Sequence, residues 1–461
     1  MNPLNPLPSI HPETLLTYGG ERVRCDVAEP EDVEQLAALL ARATQTSRRV
    51  TFRTGGVAFD RQSVNTDLVI SLRRLRGHSF DEKTASVTAA AGALWGELAE
   101  EALRRQLFPR VVVTTSRASV AGTASSNGVS RFTPIRGREG EHVLDLELVT
   151  PAGDRLHCSR DRNPDVFRAV LGGLGWLGAI TRARVALDRN GASAVRTDVV
   201  AAGGVGEVLA AITPPFAGAP PLATRYAALM PDLRGGLAFQ SRYVDGERIR
   251  RYRLIHEPRS ARRIAGEWLT RWPAMNKVIW WLAFRTWRRR GYVDPILDFT
   301  FMMDGNLRSR RLGRRLGLCM RIVQQSFLLP VDAAEELLRE AGSAFGRRGL
   351  RPTLSDVLYS PSDESPLSSA YRLDGLLISF AFETSHRGRL EAIREAMLRL
   401  SRACRRLGGR VHLAKNVQAD PEDLAAMYAP GLPELHRLKR RLDPGRVLRN
   451  DFLERTFPSL A

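Results

Sequence analysis

Lysine is almost missing from this chain. Only four of the 69 basic residues are lysine (Lys83, Lys277, Lys415 and Lys439), and the rest are arginine. A net charge of +19 with a pI near 10.8 ordinarily points to nucleic acid or an anionic surface. Here the arginines are scattered from Arg22 to Arg455 and no recognition motif accompanies them. The excess reads as a coding preference, and nucleic acid is not an expected partner. A lysine that persists against such a preference marks a place where guanidinium cannot substitute, because only the amine is a compact charge of tunable acidity. Cysteine is scarce as well. Cys25, Cys158, Cys319 and Cys404 lie far apart without metal-type spacing, which excludes a disulfide framework or zinc ribbon and makes a reducing cytosol the expected setting. Long apolar runs are absent: the best, Val278 to Phe284, is broken by Arg285 and falls short of the ~20 residues of a membrane span. Met1 to Ile10 is proline-rich and uncharged, so no secretory signal is expected. Hydrophobic residues at 43% and charged residues at 26% exclude disorder. A length of 461 residues predicts two or three domains of roughly 150 residues each.

What is present falls into two textures. Up to about residue 187 the elements are short and mixed. The apolar period predicts a helix over Glu31–Ala43, strands at Val50–Arg53, Leu68–Leu72 and Ser86–Ala90, and a helix over Leu94–Arg105. Two strands within His142–His157 are joined by the turn Pro151–Asp154, and a strand covers Ala179–Leu187. From about 188 onward, linkers at Ala201–Gly206 and Pro214–Pro221 lead into an Arg- and Trp-dense segment at 250–290. Strand-like runs follow at Asp298–Met303, Cys319–Leu329 and Leu376–Phe382. Amphipathic helices cover Ala333–Phe345 and Arg389–Leu407, and no internal repeat is visible. The class is α+β.

Three segments carry chemistry. In Phe52–Ser63, glycines between a strand and the next element let backbone N–H groups approach and cradle a diphosphate, with Gln62 and Ser63 as additional donors; a tight surface turn is the alternative. Thr114–Ser130 is a run of small hydroxylated residues and glycines with little apolar surface to bury. It suits a backbone that must follow a flat polar ligand closely. Leu171–Thr181 offers a superficial dinucleotide fingerprint, but it leaves a helix and enters a strand. The Rossmann fingerprint needs the reverse order, so nicotinamide dinucleotide is rejected.

The order of these segments resembles flavoproteins of the vanillyl-alcohol oxidase type, also called the p-cresol methylhydroxylase (PCMH) fold. Arg53 to Ser63 is similar to that family's diphosphate loop, Ser119-Val-Ala-Gly122 to its flavin-lining loop, and Gly175-Trp-Leu-Gly-Ala-Ile180 to the turn that returns the chain to the sheet. The C-terminus, through Gly408–Asn416, Ala426–Pro430 and Arg441–Asp451, resembles the decaprenylphosphoryl-β-D-ribose 2'-oxidases and their relatives, as do Gln324–Pro330 and Asn276-Lys277. The resemblance implies a PCMH-type FAD-binding domain over 1–190, an inserted α+β substrate (cap) domain on an antiparallel sheet over 191–407, and a return to the FAD domain over 408–461. It implies FAD held by Arg53, Thr54, Gly55, Gly56, Val57, Ala58, Gln62, Ser63, Ser116, Ser119, Val120, Gly122, Ser125, Ser126, Gly128, Ile180 and His412. It places Lys415 in catalysis, and Arg131, Gln324, Ser326 and Ser379 at the substrate. Val57 stands where many relatives carry a flavin-linking histidine, and no cysteine lies between Cys25 and Cys158, so non-covalent FAD is expected. Arg131 replaces the neutral imidazoles of the ribose oxidases.

The implied activity is oxidation of a secondary alcohol on a sugar or polyol, including a lipid-linked one, by hydride transfer to flavin N5, with Lys415 polarising the substrate oxygen or the reduced flavin. A flavin-dependent alkene reductase of the Δ24-sterol type and a flavin-free interaction protein on the same fold are the alternatives. The electron acceptor stays open. Five of the seven tryptophans (Trp268, Trp272, Trp280, Trp281 and Trp287) fall in 268–290 beside Arg285 and Arg288–Arg290. Indoles and arginines together favour a headgroup boundary, which predicts a peripheral membrane patch in an otherwise cytoplasmic protein; a cap-domain core helix with a basic end is the alternative. If the patch is correct, the protein sediments with anionic liposomes, salt weakens the binding, and Trp280→Ala with Trp287→Ala abolishes it.

Overall fold

The computed structural model of the chain describes residues 7–216, 221–245, 278, 291–304 and 321–461. The tryptophans and arginines of the expected membrane patch, Asn276-Lys277 and Cys319 lie outside these residues.

The chain builds three sheets in succession. The first holds β1 (His11–Leu16), β2 (Arg22–Ala28), β3 (Val50–Arg53) and β4 (Leu68–Ser71) in the order β1-β2-β4-β3. β2, β4 and β3 run parallel, which requires a crossover between β2 and β3. The helix Val33–Gln45 supplies it, burying Leu36, Leu39, Leu40 and Ala43 on one stripe. It starts two residues later than its apolar pattern suggests because Asp32 caps it, accepting from the Gln35 N–H at 2.7 Å. The second sheet joins β5 (His78–Asp81), β6 (Ser86–Ala90), β7 (Leu107–Pro109), β8 (Val143–Val149), β9 (Arg155–Ser159) and β10 (Ala179–Arg189), in the order β5-β6-β10-β8-β9 with β7 also on β10.

The third sheet has eight strands: β11 (Ala194–Ala202), β12 (Thr224–Leu229), β13 (Gly236–Val244), β14 (Tyr292–Pro295), β15 (Arg321–Leu329), β16 (Leu354–Ser360), β17 (Gly375–Thr384) and β18 (Arg410–Val411), in the order β14-β11-β13-β12-β16-β17-β15-β18. Its pairs are antiparallel. Alternation along β17 sorts its side chains. Phe380 and Phe382 face the helix Ala334–Gly346, where Phe345 meets them at 5.2 and 5.1 Å between ring centroids. Leu377, Ser379 and Ala381 face the other way, into a cavity. The architecture is α+β throughout, as the PCMH resemblance implies.

Two expected elements are corrected. Asp298–Met303 is not a strand; the helix Ile296–Thr300 occupies it, burying Ile296, Leu297, Phe299 and Thr300 at helical spacing after Pro295. Ala201–Gly206 is not a linker: β11 runs through Ala202, and the helix Val205–Ile212 begins three residues on. Of Pro214–Pro221, residues 217–220 lie outside the described residues. No helix among the described residues is long and apolar enough to cross a membrane.

The end of the chain returns to its start. Val50 N–H donates to Val447 O at 2.8 Å, and the Asn450 amide reaches Thr51 Oγ1 and Gln62 O, both at 3.0 Å. Lys439 fastens this return. Its ammonium, almost fully buried, donates to Trp176 O at 2.9 Å, Asp443 Oδ2 at 2.7 Å and Leu448 O at 2.5 Å. Asp443 in turn accepts from the N–H groups of Val447 and Leu448, each at 2.9 Å. Three compact donor directions are used, which a guanidinium fork cannot reproduce. Lys439→Ala strands a buried carboxylate and is expected to lower unfolding free energy by about 3–5 kcal/mol, with Lys439→Arg failing to restore it, both measured by urea titration of the full chain.

Candidate functional site

A cavity of about 1200 Å³ opens between the first two sheets and the free face of the third. It is larger than a drug-sized pocket of 300–1000 Å³ and has room for an extended ligand beside a second molecule. Its first wall is the loop after β3. Gly56 sits at φ +68°, and a Cβ on Gly55 would lie 2.1 Å from Arg117 O, so this loop touches the second loop backbone to backbone. The N–H groups of Gly55, Gly56 and Val57 have no acceptor among the described residues, and all three residues line the cavity, so their donors are available to a ligand. The second wall runs from Ser119 to Arg131. Ser119 accepts from Gly122 N–H at 3.2 Å and donates to Thr54 Oγ1 at 2.6 Å, joining both walls. Behind it, Glu139 is fully buried against Gly128, where a Cβ would come within 2.2 Å of its carboxyl; burial pushes that carboxyl up to about 8. Gly173–Gly175, Leu177–Gly178 and Ile180 close the side.

Most of the expected residues converge here. Thr54, Gly55, Gly56, Val57, Ala58, Gln62, Ser63, Ser119, Gly122, Ser125, Ser126, Gly128, Ile180 and His412 line the cavity, as do Lys415, Arg131, Gln324, Ser326 and Ser379. Three do not. The Arg53 guanidinium folds behind the loop to Leu16 O at 2.9 Å and Ser63 Oγ at 3.3 Å. Ser116 is buried, its N–H on Asp304 at 3.1 Å. Val120 points into the core with no exposed surface. Gln62 lines the cavity in a different role from that expected. Its amide nitrogen donates to Leu413 O at 2.8 Å and Lys415 O at 2.7 Å, so it holds the C-terminal segment in place and has no N–H left for a ligand.

The floor is a single cross-strand row. Ala228 of β12 lies opposite Asp356 of β16, Asp356 opposite Ser379 of β17, and Ser379 opposite Ser326 of β15. Beyond it, His412 N–H donates to Ser326 O at 2.8 Å. Ser326 and Ser379 share a hydroxyl contact of 2.8 Å. Lys415 stands above this row with Nζ 4.0 Å from the centre of the Phe59 ring. Burial lowers the Lys415 ammonium to about 8, with Asp356 opposing the shift. Burial raises the Asp356 carboxyl to about 6 against the pull of Lys415, the Ser379 hydroxyl and Arg131. Asp356 escaped the motif reading, although its signal is visible: one carboxylate inside the apolar alternation Leu354–Ser360, where an unassisted charge is costly.

His412 is the end of a second chain of contacts. Arg138, 1% exposed, donates from Nη2 to Ser369 Oγ at 3.0 Å and from Nε to Ser360 Oγ at 3.1 Å, and pairs with Asp363 at 3.5 Å. Ser369 Oγ is 3.3 Å from His412 Nδ1. Among the described residues the buried Ser369 hydroxyl finds an acceptor for its own proton only in Nδ1, which puts the His412 proton on Nε2. Burial and the two nearby cations, Arg138 and Lys415, hold the imidazole neutral.

Comparison with known proteins agrees with this geometry. Residues 26–159 match the FAD binding domain family, and residues 316–456 match the D-arabinono-1,4-lactone oxidase family. The chain is 43% identical over 102 residues to cytokinin dehydrogenase 6 of Oryza sativa subsp. japonica, covering 22% of this chain and 19% of the relative. It is 36% identical over 142 residues to cytokinin dehydrogenase 7 of the same plant, covering 31% and 26%. Against cytokinin dehydrogenase 2 of Arabidopsis thaliana it is 36% identical over 135 residues, covering 29% and 25%. The matched part thus spans about a fifth to a quarter of these relatives.

The residues present fit FAD. The glycine loop offers N–H donors where a Cβ at Gly55 or Gly122 would collide with the facing loop, which suits a diphosphate. The rest of the cavity leaves space for a flat ring between the second loop and the floor row. The chain is therefore an FAD-binding protein of PCMH-type α+β architecture, with a second domain built on an antiparallel sheet.

Proposed function

We propose that this protein is an oxidoreductase that oxidises a secondary alcohol of a sugar or polyol. The observation that carries this reading is the Lys415–Asp356 arrangement on the cavity floor. Both residues, with Ser326, Ser379 and His412, fall within the stretch that matches the D-arabinono-1,4-lactone oxidase family, whose name specifies a polyhydroxy lactone. Bound FAD supplies the two-electron acceptor for such a reaction. The protein's own part is proton and charge handling. Asp356 Oδ, its affinity for protons raised by burial, takes the proton of the substrate hydroxyl. Lys415 Nζ holds the negative charge that develops on that oxygen. Asp356 and Lys415 act on each other through space without forming an ion pair, so both stay available to a substrate oxygen. Ser379 and Ser326 continue the polar row toward His412, whose Nε2 is the ring nitrogen not engaged by Ser369.

A second reading follows from the relatives, which are named as dehydrogenases of cytokinins. A cytokinin replaces the polyol as reductant in that case. Anaerobic bleaching of the bound flavin separates the readings. A panel of alditols, aldoses and aldonolactones should bleach it, whereas bleaching by a cytokinin alone would transfer the chain to the second reading, and bleaching by NADPH alone to the alkene reductase. A lipid-linked sugar belongs in the same panel, because the prenyl tail of such a substrate would suit the proposed surface patch.

FAD is held without a covalent bond in this reading, because Val57 carries no nucleophilic side chain. Acid precipitation should release all yellow colour into the supernatant; colour retained in the pellet would refute this. Lys415→Ala should keep FAD and slow flavin reduction by at least ~100-fold, and Lys415→Arg should not recover it. The wild-type rate of reduction should rise as pH passes about 6, where Asp356 becomes a carboxylate, and fall above about 8, where Lys415 loses its charge. A rate flat across that range, measured by stopped flow, would remove both residues from the chemistry.

A further inference from the structure

A second cation lines the cavity; it acts on Asp356 of the floor row through space, without an ion pair. Arg131 is 7% exposed and lines the cavity. Its guanidinium lies over two aromatic rings, 4.4 Å from the centre of Phe299 and 5.1 Å from that of Tyr226, and one of its nitrogens touches the Met302 sulfur. Tyr226 is itself stacked on Phe239 at 4.9 Å and 13°. Among the described residues no oxygen accepts a hydrogen bond from Arg131 and no carboxylate pairs with it, although Asp294 and Asp298 line the same cavity. A guanidinium has five donors and stays charged at any physiological pH. Burying one against π faces and a thioether compensates only part of its lost hydration. Aromatic walls also fix its plane and leave the donor edge free. That combination suits a ligand that brings its own acceptors in pairs.

We propose that Arg131 binds an oxyanion of the substrate, a carboxylate or a phosphate carried on a small polyhydroxy compound. The inference rests on the alcohol-oxidase reading for the position of the reacting carbon. Tyr226, under the guanidinium, precedes by two residues the Ala228 that lies opposite Asp356, so the two ends of the substrate are separated by about 7 Å along β12 and one strand across. That is the length of a short sugar chain. One end would meet Lys415 and Asp356 and the other Arg131, with Tyr226 and Tyr292 covering the middle.

The test uses the full chain loaded with FAD and three probes that differ at one terminus: ribitol, D-ribonate and ribitol phosphate. Binding is read from the change in flavin absorbance on titration, and reduction is read separately by anaerobic bleaching. The wild type should bind ribonate or ribitol phosphate at least ~10-fold more tightly than ribitol, the lower end for a charge-assisted pair, and the two arms identify which oxyanion fits. Arg131→Met should erase that preference, so that the three probes bind within ~3-fold of one another. Arg131→Lys should keep part of it. Because Arg131 has no oxygen acceptor or carboxylate partner to lose and Met keeps apolar contact with Phe299 and Tyr226, Arg131→Met should melt close to wild type; a large drop would make Arg131 a structural residue and overturn the proposal. Equal affinity for all three probes in the wild type overturns it too, as does a preference that survives Arg131→Met. Tight oxyanion binding without reduction by any of the three would instead sink the alcohol-oxidase reading and leave the oxyanion site standing.

Discussion

The Gln62 amide is the pivot of this structure. From the loop after β3 it reaches the carbonyls of Leu413 and Lys415, while Asp60 N–H holds its oxygen at 2.9 Å. The same C-terminal segment is hydrogen-bonded on its other side to β15, through His412 N–H to Ser326 O and Asn416 N–H to Gln324 O. One strip of backbone is thus clamped between the glycine-rich loop and the large sheet. Lys415 has its height over the floor row because both partners agree on where residues 412–416 lie. Without that clamp the cradle and the floor would be two half-sites with no fixed distance between them.

The second organising fact is the amount of charge kept away from bulk water. Lys439 and Asp443, Arg138 and Asp363, and Lys415 and Asp356 are three solutions to the same problem. The first pair is a direct ion pair with every donor direction used, and it serves the fold. The second is longer, at 3.5 Å, and passes its polarity through Ser369 to a neutral histidine. The third is held apart, and each partner's protonation is displaced toward neutrality. Distance between the charges separates a structural pair from one available for chemistry.

The two loops were legible in the sequence because their composition is nearly useless for anything else: glycines beside small hydroxyls bury little and approach closely. The scarcity of lysine was informative in the same way, since Lys439 uses three compact donor directions in the core and Lys415 lines the cavity. Short apolar runs were less legible. Asp298–Met303 has the residues of a strand, and only the preceding proline and the burial of Ile296, Leu297 and Phe299 on one stripe make it a helix. Asp356 was hidden because its meaning is a register: it becomes a site residue only when β16, β17 and β15 align it with Ser379 and Ser326. Arg53, Ser116 and Val120 sit in the right loops and face the wrong way, a distinction that spacing along the chain does not encode.

The bridge between Val50 and Leu448 sets an order of events in the cell. β3 emerges from the ribosome early, yet its edge is completed by residues almost four hundred positions later, and Asn450 reaches back to Thr51 in the same place. Until residues 448–450 are made, a nascent chain therefore carries an open sheet edge beside an incomplete cradle. Contacts this distant close slowly, so the cradle is complete only once residues 410–450 have joined it, and removing that stretch would take Gln62's partners and the last strand of the large sheet together.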